Sequence, residues 1–70
     1  MQRTSVISSN INSIGYDIDN QTLEIEFNNS GIYQYNWVSA WIYNSLISAA
    51  SIWSYFANNI KNQFNGIKIS

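Results

Sequence analysis

The chain has 70 residues, 16% of them aromatic and only 10% charged, with a formal net charge of -1 at neutral pH. It contains no Cys and no His, which removes disulfides, the common zinc ligand sets and thiol or imidazole catalysis. Its three basic residues, Arg3, Lys61 and Lys68, are too few to neutralise a polymer backbone, so long nucleic acid is not an expected partner. A chain of this size forms one small domain that buries only about 60% of its unfolded surface, and with disulfides and metals excluded, self-association is the remaining aid to stability.

Residues 1–8 are polar and expected to be loosely ordered. The run INSIGYDI sets Ile14, Tyr16 and Ile18 against Gly15 and Asp17, the period-two pattern of a half-buried strand. TLEIEF alternates more cleanly, with Leu23, Ile25 and Phe27 on one face and Glu24 and Glu26 on the other. A four-residue loop, Asp19 to Thr22, pairs Ile18 with Leu23, Tyr16 with Ile25 and Ile14 with Phe27, and sets Asp17 across from Glu24 on a solvated acidic face. At NNSG two registers are open. A three-residue loop Asn29–Gly31, favoured because glycine tolerates positive φ, sets Tyr33, Tyr35 and Trp37 beside Phe27, Ile25 and Leu23 on the core face. A two-residue loop turns the same rings outward.

From Ser39 the apolar period lengthens. Ser39 and Ser51 are credible N-caps for two short helices over about 39–49 and 52–64, with one bent helix as the alternative because no strong breaker separates them. NGIKIS ends the chain with a turn and room for a short strand. No charged residue lies between Glu26 and Lys61, yet Ser39, Asn44, Ser45, Ser48, Ser51 and Ser54 interrupt the apolar stretch, so no membrane span is expected. MQRTSVISSN lacks the apolar region of a signal peptide, and a cytoplasmic setting is expected. The fold class is therefore α+β: a three-stranded antiparallel β-meander followed by two short α-helices packed on one face.

The Ser8–Ser9 pair, IGYD at Ile14 to Asp17, the LEIEF strand, the central Tyr33 and Tyr35, and YF at Tyr55 and Phe56 occur in an order that resembles the KTSC domain family. This is a small module found at the C-terminus of some lysyl-tRNA synthetases and as stand-alone bacterial and phage proteins. The similarity covers about residues 5–64 and implies a single domain over 1–70, with an accessory RNA-binding role as one expectation. Where relatives carry a basic, glycine-containing step before YF, this chain reads SIWS, which removes phosphate-binding charge and adds the ring of Trp53.

Catalysis finds no foothold. The serines have no imidazole base, neither lysine sits in a motif that lowers its pKa, and three carboxylates on a flat strand pair enclose no metal. No enzyme activity, cofactor or metal is expected. Eleven aromatic residues, however, exceed what so small a core can enclose. Trp37, Trp41, Trp53 and Tyr55 are the surplus rings expected to meet a partner, with Tyr33 and Tyr35 divided between core and ligand and Arg3 and Lys61 available for polar groups. These residues point to a homo-oligomeric binding protein that stacks a nucleotide-like signal or a short single-stranded oligonucleotide. For a phage-type protein this implies sequestering a signal used in host defence. A protein-interaction module without a small ligand is the alternative.

Overall fold

The computed structural model describes residues 1–70. Its elements run β1 (Arg3–Ser5), β2 (Ile11–Asp17), β3 (Thr22–Phe27), β4 (Gly31–Tyr35), α1 (Ala40–Ile47), α2 (Ile52–Asn59) and β5 (Gly66–Lys68). All strands join one antiparallel sheet in sequence order. The α+β class and the two helices match the expectation, whereas the sheet has five strands, not three. Both additional strands are three-residue edge strands exposed along their whole length. With neither face buried they have no reason to alternate, so period-two reasoning passes over them. Residues Arg3–Ser5, expected to be loosely held, are thus paired with β2.

Each central hairpin is shifted by two residues from the expected register. Asp17 closes the first turn. Its Oδ1 accepts from the N–H of Asp19 at 3.1 Å, and its Oδ2 accepts from the side-chain amide of Asn20 at 2.8 Å. This Asx-type closure starts the loop at Ile18, so Asp17 pairs with Thr22, Tyr16 with Leu23 and Ile14 with Ile25, leaving Ile18 67% exposed. In the second turn Gly31, at φ 95°, lies opposite Phe27, with Asn28 to Ser30 between them. Tyr33 consequently faces Ile25 and Tyr35 faces Leu23. A shift of two preserves the faces, so the tyrosine stripe is on the core side as expected, but Trp37 falls beyond the sheet rather than opposite Leu23. A bulge between Ile11 and Ser13 brings Ile11 and Ile14, three residues apart, onto the same core face.

Ser39 and Ser51 are the N-caps, with hydroxyls that accept from the N–H of Ile42 and of Ser54. The second helix ends at Asn59, short of the expected 64, because the Phe56 carbonyl accepts from the N–H of both Ile60 and Lys61 and the chain turns there. The helices contribute Leu46 and Phe56 to a core with Ile11, Ile14, Leu23, Ile25, Tyr35, Val38 and Ile60. Each large aliphatic or aromatic side chain so buried stabilises the fold by about 1.5–3 kcal/mol.

The opposite sheet face is a hydrogen-bonded polar layer, not the solvated acidic surface expected. Glu24 lies opposite Gly15, not Asp17, and is only 5% exposed. Arg3, also opposite Gly15, reaches across it to pair with Glu24, while Gln34 donates to Glu24 at 2.9 Å. A Cβ on Gly15 would lie 2.6 Å from the Gln2 carbonyl and 3.0 Å from Arg3 Cγ, so glycine is what lets β1 close over the carboxylate. Arg3 Nε donates to Ser13 at 2.9 Å, and the Ser13 hydroxyl donates to Glu26.

Candidate functional site

The structure separates the six singled-out rings into three groups. Tyr35 is buried to 6% exposure, edge-on to Phe56 at 5.5 Å, and burial raises the pKa of its hydroxyl, with Tyr33 adding to the effect. It is a core residue. Tyr33 is half-buried against Phe27 at 5.5 Å, Trp53 packs on Phe56 at 5.6 Å, and Tyr55 packs against the core with part of its ring exposed. Trp37 and Trp41 stand apart at 79% and 72% exposure.

The two cations are partly committed. Arg3, expected to be free for a ligand, is held by Glu24 and Ser13 on the sheet face opposite the helices. Lys61 Nζ sits 5.8 Å from the centroid of the Trp53 ring, within cation–π range. Burial by itself raises the pKa of Glu24, but the hydrogen bonds from Gln34 and Arg3 and the guanidinium charge outweigh it and hold the carboxyl below its ordinary value. Glu26, accepting from Asn12 and Ser13, is also lowered. No three acidic side chains converge on a metal-sized space.

Trp37 lies between β4 and α1, where the chain leaves the sheet. The N–H of the next residue, Val38, donates to the Gln21 carbonyl at 2.9 Å, and Val38 is fully buried. Anchoring Val38 in this way coincides with a φ of 68° at Trp37, a left-handed conformation uncommon for a bulky residue. The strain accompanies a side chain that gains little from burial, and such outliers cluster where a residue is kept for something other than the fold.

Beside Trp37 lies an open groove of about 430 Å³, completed by Asn36, Gln63, Phe64, Asn65 and Ile67. The return of the chain from α2 into β5 brings the last four to Trp37. No charged residue lines it. Rings and an isoleucine supply apolar surface, and three amides supply paired donors and acceptors, the combination that holds a flat neutral ring with polar edges. Asn36 accepts from the Thr22 hydroxyl at 3.2 Å through its oxygen, which leaves its NH₂ free to donate. Gln63 and Asn65 were not among the sequence candidates. Their only signal is that two amides flank Phe64, which means little until β5 places them.

The family model of the KTSC domain matches residues 7–64 of the chain. In a crystal structure of a KTSC domain protein from Yersinia pestis, 45% identical, the fold superimposes with a TM-score of 0.96 over 99% of this chain and 97% of that one. An uncharacterized protein of Stutzerimonas stutzeri (strain A1501) is 35% identical over 63 residues, 90% of this chain and 89% of its own length. No helix is long and apolar enough to cross a membrane.

Proposed function

The chain belongs to the KTSC domain family, and we propose that on this scaffold it is a non-catalytic protein that binds a nucleotide-like molecule or short single-stranded oligonucleotide by stacking bases on Trp37 and Trp41. The observation that carries this reading is Trp37 itself, 79% exposed and held in a left-handed backbone beside an uncharged groove with three amides. Any base offers a π-face to an indole, and such stacking contributes about 1–3 kcal/mol per base. Asn36, Gln63 and Asn65 suit the hydrogen-bonding edges of a base splayed out of a single strand. With Arg3 held by Glu24, little positive charge remains to follow a long phosphate backbone, which favours a short ligand.

A homo-oligomer strengthens the site by setting an indole of a neighbouring subunit against the other face of the base. The exposed Ile47, Ile67 and Ile69 offer apolar surface for that assembly. The proposed consequence of binding is sequestration of the ligand, not its turnover.

Titration with short oligothymidylate is the test. Quenching of tryptophan fluorescence is expected, and Trp37→Ala is expected to weaken binding by about fivefold to a hundredfold. Absence of quenching together with an unchanged melting temperature overturns the reading and leaves the exposed rings to a protein partner.

A further inference from the structure

A second cavity, of about 330 Å³, opens where the segment between β1 and β2 meets the start of α2. Ile7, Ser8 and Ser9 line it from the first segment and Ser51, Ile52 and Trp53 from the second, more than forty positions along the chain. We infer that this cavity is a site for a single phosphate group, a phosphomonoester or phosphodiester, received by the N–H groups at the start of α2 and the hydroxyls of Ser8 and Ser9.

Two independent features converge there. The first is the helix end. Ser51 already satisfies Ser54, its hydroxyl accepting from the Ser54 N–H at 3.2 Å, and its carbonyl accepts from the N–H of Tyr55. The N–H groups of Ile52 and Trp53 have no acceptor, and they carry the positive end of the helix dipole. The second is Ser8. Its hydroxyl is shut off from solvent and has no hydrogen-bond partner, although it belongs to a residue lining the cavity. A buried hydroxyl without a partner costs stability, and turning it into the cavity about its Cα–Cβ bond to donate to an anion removes that cost.

The charge around the cavity agrees with an anion. Lys61 lies against the ring of Trp53, and none of Asp17, Asp19, Glu24 and Glu26 lines the space. Isoleucine and indole walls on either side suit a phosphate attached to an organic group. This site does not depend on the Trp37 groove, since the two share no lining residue.

The experiment is an amide-resolved NMR titration of the full chain with inorganic phosphate against sodium chloride at matched ionic strength. Saturable shifts confined to Ser8, Ser9, Ile52 and Trp53 are expected with phosphate alone. Ser8→Ala should weaken binding about tenfold, equivalent to about 1.4 kcal/mol, without lowering the melting temperature, because the hydroxyl removed has no protein partner. Lys61→Gln should weaken binding while the fold stays intact, and Trp37→Ala should leave the phosphate titration unchanged. Shifts that do not saturate, that spread over the surface, or that Ser8→Ala leaves unaltered overturn the proposal. Loss of oligothymidylate quenching with an intact phosphate response overturns the groove reading alone.

Discussion

Phe56→Ala is expected to be severely destabilising. Phe56 is 2% exposed and stands 5.4–5.6 Å, centroid to centroid, from Phe27, Tyr35 and Trp53, so one ring ties the helical layer to two strands. Truncating such a ring costs about 3–5 kcal/mol, through lost burial and the cavity left behind. A 70-residue domain at about 0.05–0.15 kcal/mol per residue has roughly 4–10 kcal/mol in total, so the loss consumes much of it. At about 4–8 °C per kcal/mol the melting temperature should fall by at least 12 °C. Circular dichroism melts of Phe56→Ala and Phe56→Leu check this, with the leucine variant intermediate. A loss under about 1 kcal/mol for alanine would contradict the packing described.

The second large effect concerns Arg3 and acid. The folded-state pKa of Glu24 lies below its ordinary value near 4.5, so as pH falls through that range the unfolded chain takes up the proton first. The stability contributed by Glu24 is therefore complete above the ordinary value and is lost as pH falls toward and through the lowered one. Glu26 and Asp17, both also lowered, act in the same direction; Asp17 is held down chiefly by the Asn20 amide. In Arg3→Met the guanidinium and its hydrogen bonds are gone, and burial, which raises the Glu24 pKa, has less to oppose it. At neutral pH this variant should lose about 1–3 kcal/mol, less than a fully buried pair would, because the Arg3 side chain is 27% exposed. Its pH dependence should be shallower than that of the wild type between the ordinary carboxylate range and strong acid. Urea titrations at several pH values read both quantities. Parallel pH profiles for the two proteins would show that Arg3 does not hold the Glu24 carboxylate.

The parts of this fold legible from sequence are those where one physical rule dominates. Leu23, Ile25 and Phe27 alternate because one face of β3 is buried, and Ser39 and Ser51 cap helices because their hydroxyls meet free N–H groups. The family was legible through several short motifs in order, which reaches further than any single pattern. Register was not, since it turned on Asp17 closing its own turn, a choice between equally apolar pairings that differ by two residues. The strands β1 and β5 stayed hidden because exposed edges leave no hydrophobic trace. Arg3 looked like a free cation, since nothing local links it to Glu24 twenty-one positions away; the glycine at position 15 makes the link possible in three dimensions.

The candidate site divides along the same line. A count of rings against core volume led to Trp37, Trp41, Trp53 and Tyr55; the first two are exposed, whereas the last two pack against the core. The same count could not exclude Tyr35, which is buried, and it could not supply Gln63 and Asn65, which the β5 return carries to the groove.

The central claim is that Trp37 is kept for what it grips and not for what it holds together. Thermal melts of the wild type and Trp37→Gly, each with and without oligothymidylate, test this in one measurement. Relief of a left-handed conformation, about 1–2 kcal/mol, offsets the roughly 0.5–1 kcal/mol of added freedom in the unfolded chain. The glycine variant should therefore melt no lower than the wild type in buffer, yet gain little from a ligand that raises the wild-type melting temperature. A variant that melts well below the wild type but is stabilised equally by the ligand would make Trp37 a structural residue and contradict the account.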